Sequence, residues 1–126
     1  MPVLSNPKLS IQVASGTNQR KVTATVTVSF STVEENIIKV LGLVPKLSCR
    51  VWGEDGGFNG DDDHLFSYNT KTITKDGTYT FMGTVNKAVL DEDNVGNDEI
   101  YAKFGLSTPS FPMSAATRSP TINGDF

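Results

Sequence analysis

The sequence contains one cysteine, one histidine and one tryptophan in 126 residues, and these shortages remove several classes of protein. A single cysteine, Cys49, cannot form an intrachain disulfide, which excludes the cysteine pair of immunoglobulin domains and any zinc site built on paired cysteines. A catalytic thiol would need His64 as its base, and nothing in their spacing indicates that the two residues meet. We therefore expect Cys49 to be a small buried side chain.

Long apolar runs are also missing. The longest candidate, Ile37–Val44, contains a lysine and is far shorter than the roughly 20 residues that a membrane span needs. Residues 1–10 have neither the basic start nor the apolar core of a signal peptide, so secretion by that route would require a leader outside this sequence. We expect a soluble chain that forms a single domain over residues 1–126, and the compartment stays open.

Motifs that carry chemistry are scarce. No nucleophile elbow, phosphate-binding glycine loop or metalloprotease helix occurs. The dispersed lysines and arginines form no basic and aromatic stripe of the kind that binds nucleic acid. The sequence therefore favours a protein that is not an enzyme and has no nucleic-acid partner.

Two-residue alternation of apolar and polar side chains is the strongest pattern that is present. Residues 21–31, KVTATVTVSFS, place Val22 to Phe30 on one face and threonines on the other, which predicts a strand. Residues 8–14 repeat the pattern, and the turn residues 15–20 between them predict a hairpin. Further strands are predicted at residues 46–52, 66–74, 78–90 and 99–107. The pair 66–74 and 78–90 is predicted to be a second hairpin, closed by a type I′ turn at Asp76-Gly77.

Two segments are harder to interpret. Residues 33–44 fit a short helix and an extra strand equally well. Residues 107–126 are rich in proline, serine and other small residues, which predicts a loop-like segment that ends in an edge strand near residues 119–124. About seven to eight short strands with turns between them predict an all-β protein, an antiparallel β-sandwich that is immunoglobulin-like or C2-like.

Charge is distributed unevenly along the chain. Two acidic segments without lysine or arginine hold ten of the fourteen acids. The rest of the chain contains the other four acids and all eleven lysines and arginines, so its net charge is +7. The first segment contributes Glu54, Asp55, Asp61, Asp62 and Asp63, and the second contributes Asp91, Glu92, Asp93, Asp98 and Glu99.

Strand order predicts that both acidic segments lie at one end of the sandwich, because an even number of strand reversals separates them. Two like charges about 4 Å apart repel by roughly 4 kcal/mol at an effective dielectric near 20, so the segments either stay apart in water or share a cation. Calcium is the expected ion, since it takes about 6 to 8 oxygens in irregular geometry. The alternative is a solvated end that binds nothing, because Asp, Asn and Gly are common turn residues. The expected metal ligands are Asp55, Asp61 and Asp63 with Asp91, Asp93 and Asp98.

Residues 51–65 resemble the third calcium-binding loop of C2 domains. Val51 is followed by Gly53 and Asp55, then by Asp61 after five residues, where that loop has Asp-x-Asp-x5-Asp after a strand valine. The resemblance implies Asp55 and Asp61 as calcium ligands, with Gly53 in place of the first aspartate. It also implies a membrane as a partner, with Phe58 at the lipid surface.

The sequence thus predicts a calcium-binding β-sandwich module whose acidic loops order a surface for a protein partner. The alternative, from a different class, is a structural subunit of a larger assembly such as a filament, virion or secretion apparatus. In that alternative, edge strands and residues 107–126 mediate packing and the acidic loops are only solvated.

Overall fold

The computed structural model of the chain describes residues 2–13, 18–54, 63–90, 98–109 and 111–124. Strands dominate these residues, as the alternating pattern predicts. In chain order the elements are β1 (Val3–Val13), β2 (Gln19–Ser29), α1 (Thr32–Leu41), β3 (Lys46–Gly53), β4 (Asp63–Ser67), β5 (Lys71–Thr72), β6 (Gly77–Asn86), α2 (Lys87–Leu90), β7 (Asp98–Ser107), β8 (Ser114–Arg118) and β9 (Ile122–Gly124).

The strands form two antiparallel sheets, which confirms the predicted all-β sandwich. Over the described residues, sheet A has the order β1-β2-β6. Sheet B has the order β4-β3-β7-β8, with β5 beside β3 and β9 beside β7. One hydrophobic core receives side chains from both sheets, because alternate residues of each strand point to the same side.

The core is built from the alternating rows that the sequence displays. In β2 the side chains from Val22 to Val28 that face inward are fully buried. In sheet B, β3 and β7 contribute their inward-facing side chains to the same core, and Phe81 of β6 also belongs to it. The fully buried residues of the sheet B rows are Leu47, Cys49, Val51, Ile100 and Ala102, and Phe104 and Leu106 are almost completely buried.

The predicted first hairpin is confirmed, since β1 pairs with β2 in an antiparallel register that joins Leu9 to Ala24. The register shifts between Ser5 and Lys8. Asn6 has a φ of 50° at this point, in the left-handed region that asparagine tolerates better than most residues. Pro7 follows it and cannot donate a hydrogen bond to the ladder, so the irregularity lies where a regular strand could not continue.

The ambiguous segment 33–44 is a helix over most of its length, α1. Ser31 and Glu34 form a capping box, in which the Ser31 hydroxyl accepts from the Glu34 N–H at 3.1 Å and the Glu34 carboxylate accepts from the Ser31 N–H at 2.8 Å. Gly42 ends the helix with a φ of 61°, a conformation that costs glycine little. Of the helices that the structure describes, none is long and apolar enough to cross a membrane.

The predicted second hairpin is wrong. β4 and β5 pair with β3 in sheet B, whereas β6 pairs with β2 in sheet A, so the chain crosses between sheets at residues 73–76. Gly77 lacks the positive φ of a type I′ turn and begins β6. The Asp76 carboxylate instead accepts a hydrogen bond of 2.7 Å from the Phe30 N–H at the end of β2, which fixes the crossing.

The C-terminal segment has more structure than its composition predicts. An edge strand near residues 119–124 is confirmed as β9, but residues 114–118 also form a strand, β8. Both strands pair with β7, and between them Ser119 makes two contacts with Ala102: its N–H donates to the Ala102 carbonyl at 2.8 Å, and its hydroxyl accepts from the Ala102 N–H at 2.8 Å. These contacts hold the bend between β8 and β9 against the sheet.

Candidate functional site at the acidic end

The described flanks of the two acidic segments lie side by side at one end of sheet B, as strand order predicts. Gly53, the last residue of the central strand β3, pairs with Asp63 of β4 on one side and with Ile100 of β7 on the other. The Glu54 N–H donates to the Glu99 carbonyl at 2.7 Å, which extends the ladder by one more residue. Both ends of the first acidic segment therefore lie beside the end of the second acidic segment that leads into β7.

The structure describes only part of the predicted ligand set. Asp63 is exposed as the first residue of β4. Asp98 begins β7, but its side chain lies outside the described part of the chain. Asp55, Asp61, Asp91 and Asp93 also lie outside it, as does Phe58. Within the described ranges, no group of three or more His, Cys, Asp or Glu residues is placed to hold a metal ion.

The structure likewise describes only some of the residues that carry the C2 resemblance. Val51 and Gly53 belong to β3, and both are buried. Asp55 and Asp61, which the resemblance implies as ligands, are outside the described residues. The resemblance therefore remains a prediction from sequence.

Glu54 is held by the C-terminal segment. Its carboxylate accepts a hydrogen bond of 2.8 Å from the Thr121 hydroxyl and lies 3.8 Å from the Arg118 guanidinium. Arg118 also donates to the Thr121 hydroxyl at 3.1 Å and lies 3.7 Å from the centre of the Tyr101 ring. Sequence reasoning finds no cation within either acidic segment, but the pairing of β7 with β8 supplies Arg118. Glu54 therefore has a partner within the chain and is not among the expected metal ligands.

Other polar residues reach the same end through sheet A. Gln19 at the start of β2 pairs with Asn86 at the end of β6, and the Lys87 N–H donates to the Asn18 carbonyl at 2.7 Å. α2 begins with Lys87 and packs against β4, which places the start of β2 near the acidic flanks. Arg20 is buried there, and one of its guanidinium N–H groups donates to the Gln19 carbonyl at 3.0 Å. The charge at this end is thus a mixture, although the acidic segments contain no cation.

Trp52 and His64 lie on the outer face of sheet B. Their rings meet edge to face, with centroids 5.2 Å apart, and the Lys103 ammonium lies 5.7 Å from the centre of the Trp52 ring. His64 also shares a hydrogen bond of 2.7 Å with the Ser67 hydroxyl. The alternation of β3 could have placed Trp52 here, because Leu47, Cys49 and Val51 occupy the inward positions. The aromatic pair therefore belongs to the outer surface.

Cys49 is fully buried, as predicted, and burial raises the pKa of its thiol to about 12. A thiol with so high a pKa is protonated at neutral pH and is a poor nucleophile. It points into the core, whereas His64 is exposed on the outer face of the same sheet. The two residues do not form a catalytic pair.

No protein-family model matches the sequence, and no curated protein matches it. Among solved structures, the chain is similar to a GH3 beta-glucosidase from Bifidobacterium adolescentis, with a TM-score of 0.44 and 13% sequence identity. The similarity covers 96% of this chain and 17% of the glucosidase chain.

Proposed function

We propose that this protein is a non-enzymatic β-sandwich module that binds calcium at its acidic end and uses the ion to order a surface for a protein partner. The observation that supports this proposal is the position of Gly53, with Asp63 paired on one side and Ile100 on the other. Neighbouring strands are about 4.8 Å apart, so the two acidic segments are rooted within roughly 10 Å of each other.

That spacing suits an ion held between two loops. Calcium binds oxygens at about 2.3 to 2.6 Å, so ligands on opposite sides of one ion are roughly 5 Å apart. Loops rooted within roughly 10 Å can supply such a set without moving the strands. Under the proposal, Asp55, Asp61 and Asp63 approach from the first segment, and Asp91, Asp93 and Asp98 approach from the second.

The donor chemistry also favours calcium over softer metals. Carboxylate, amide and backbone oxygens are the ligands that calcium prefers, and thiolates and imidazoles favour zinc and copper. Cys49 is buried in the core, and Nε2 of His64, the single histidine, shares a hydrogen bond with the Ser67 hydroxyl. Oxygens therefore make up most of the donors that this end of the molecule offers.

Calorimetry and thermal melts with calcium or a chelator test the proposal. A site for the folded state stabilises it by about 1.4 kcal/mol when calcium is at ten times its dissociation constant. The variant Asp61→Asn/Asp93→Asn removes one carboxylate from each segment and should abolish both the heat and the shift. Glu35→Gln is a control, because it removes an exposed carboxylate from α1, which joins the end of β2 to the start of β3 at the opposite end of the sandwich.

Two results would contradict the proposal. One is the absence of heat and of any melting shift at millimolar calcium. The other is an equal response to magnesium that disappears in 150 mM salt, because screening removes general attraction between exposed charges but leaves a coordinated ion largely unaffected. In either case an Asp61→Asn/Asp93→Asn variant that melts higher without calcium would indicate simple repulsion between solvated loops.

A second candidate function is that of a subunit in a larger assembly, and the outer face of α1 favours it. Val33, Val40 and Leu41 are 66%, 80% and 58% exposed, while Ile38 alone among the apolar side chains of this helix is buried. An amphipathic helix normally turns its apolar side to the core, so this face suits an apolar surface of a neighbouring subunit. Sedimentation of the chain with and without calcium separates the candidates, because a large calcium-independent oligomer favours assembly and a monomer disfavours it.

A further inference from the structure

Strand β6 is an edge strand without the features that usually protect such edges. Its ten residues, GTYTFMGTVN, contain no charge and no proline. Across the residues that the structure describes, β6 pairs with β2 on one side and with no strand on the other. Its outer row of side chains is exposed, and Met82 in the middle of that row is 57% exposed. A long, uncharged edge of this kind is a template for pairing with another strand.

The other edges of the two sheets are protected. β1 carries the irregularity at Asn6 and Pro7, followed by Lys8. β4 has five residues, begins with Asp63 and His64, and has a shifted register next to β3. β8 also has five residues and ends in Arg118, with prolines before and after it. Among the described strands, β6 thus differs from every other long or exposed edge, since bulges, charges and prolines are the usual means of blocking strand addition.

We infer that β6 pairs with β6 of a second copy of this chain, in an antiparallel arrangement about a two-fold axis, to form one continuous six-stranded sheet. An antiparallel two-fold contact uses the same surface on both copies and therefore closes at a dimer. Pairing of β6 with the β1 edge of another copy would give an open chain, but the bulge and Pro7 on β1 oppose it. This inference does not depend on the proposed calcium site.

Charges at the two ends of β6 select the register. Residues that stand opposite each other must face the same side of a sheet, so the two-fold axis passes through a residue and not between two residues. An axis through Phe81 would bring Lys75 to the level of Lys87 of the second copy, just beyond the ends of the paired strands, which is unfavourable. An axis through Met82 instead brings Lys87 of the second copy to the level of Gly77, which carries no charge. The charges thus favour the register in which Met82 faces its own symmetry mate.

The size of this contact predicts a weak, reversible dimer. The Met82 register pairs residues 78–86 of each copy, which gives about nine backbone hydrogen bonds over roughly 30 Å of strand. A contact along one edge buries less area than the roughly 1,600 Å² of a standard stable interface. Dimerisation should therefore depend on concentration within the range from about 10 µM to 1 mM.

Sedimentation equilibrium across that range tests the inference with the full chain. Met82→Lys places two ammonium groups across the axis and should reduce the association constant at least tenfold. Ser10→Lys is a matched control, because Ser10 lies at the same level of the outer face on the opposite edge strand, two strands from Met82. This control should dimerise like the parent chain.

A cysteine variant tests the register itself. Residues directly opposite in an antiparallel pair have Cα atoms about 4.5 to 5.5 Å apart, within the range that a disulfide spans. Met82→Cys should form a cross-linked dimer under mild oxidation, and Ser10→Cys should remain monomeric on a denaturing gel. The inference is overturned by a chain that stays monomeric at 1 mM, by association that Met82→Lys leaves unchanged, by particles larger than a dimer, or by equal cross-linking of the two cysteine variants.

Discussion

Replacing Ser119 with alanine tests how the C-terminal segment is fixed to the sandwich. Ser119 is 2% exposed, and its hydroxyl accepts from the Ala102 N–H at 2.8 Å. Ala102 lies in β7 and is fully buried. Alanine removes the acceptor, so the buried Ala102 N–H loses its partner.

The expected loss in the free energy of unfolding is about 1 to 3 kcal/mol, which is the usual cost of leaving a buried donor unsatisfied. For a chain of this length the melting temperature falls by roughly 4 °C for each kcal/mol. Urea unfolding followed by Trp52 fluorescence measures the loss directly, provided that the slope with denaturant is unchanged. If the Ala102 amide exchanges only through global unfolding, its exchange rate should rise by the factor that corresponds to this loss of free energy.

Ser114→Ala is the matched control for this experiment. Ser114 is an exposed residue of β8, and its substitution should change stability by less than about 0.5 kcal/mol. Equal stabilities of Ser119→Ala and Ser114→Ala would refute the reasoning, because they would show that the Ala102 N–H finds another partner. A lower stability together with weaker calcium binding would further show that docking of the C-terminal segment supports the flank at Glu54.

Three other predictions follow from individual contacts. Gly83→Val should destabilise the fold by about 1 to 3 kcal/mol in urea unfolding, because a Cβ at Gly83 would lie 3.2 Å from the Tyr68 ring. Gly77→Val on the same face should be nearly neutral. The free energy of unfolding should fall by up to about 1.4 kcal/mol per pH unit as the pH rises from about 8.5 to 12. The reason is that the unfolded state loses the Cys49 proton at a lower pH than the folded state does. Cys49→Ala should abolish this dependence below pH 10. Ser31→Ala should cost about 1 kcal/mol through loss of the α1 cap, measured by thermal melting against Thr32→Ala.

Local alternation predicts strands well and their partners poorly. The rows in β2, β3 and β7 are readable because each strand has one buried face, and a shift by one residue would expose the whole row. The same alternation in residues 66–74 and 78–90 does not show which sheet each segment joins. The Asp76-Gly77 pair indicates a turn, but the Asp76 carboxylate binds Phe30, a residue far away in the sequence. That contact depends on the assembled sandwich and cannot be read from neighbouring residues.

The local sequence signals are strong for α1 and weak for β8. The Ser31 and Glu34 capping box and the final Gly42 are local signals that favour a helix over a strand, although the apolar content of residues 33–44 suits both. β8 has the sequence SAATR, in which alanine and serine are poor strand formers, so its strand depends on pairing with β7. Packing against an existing strand overrides the weak preference of its residues.

The position of Arg118 changes the electrostatic argument for a cation at the acidic end. From the sequence, ten carboxylates without local cations suggest strong repulsion, and an ion is one way to relieve it. The fold brings Arg118 within 3.8 Å of Glu54, although both side chains are partly exposed and such pairs contribute little to stability. Since Glu54 is already engaged, the need for an ion falls on the other acids of the two segments, which include Asp63 and Asp98 at the strand ends. Calcium binding should therefore survive Glu54→Gln, and a loss of binding in that variant would place Glu54 among the ligands of the ion.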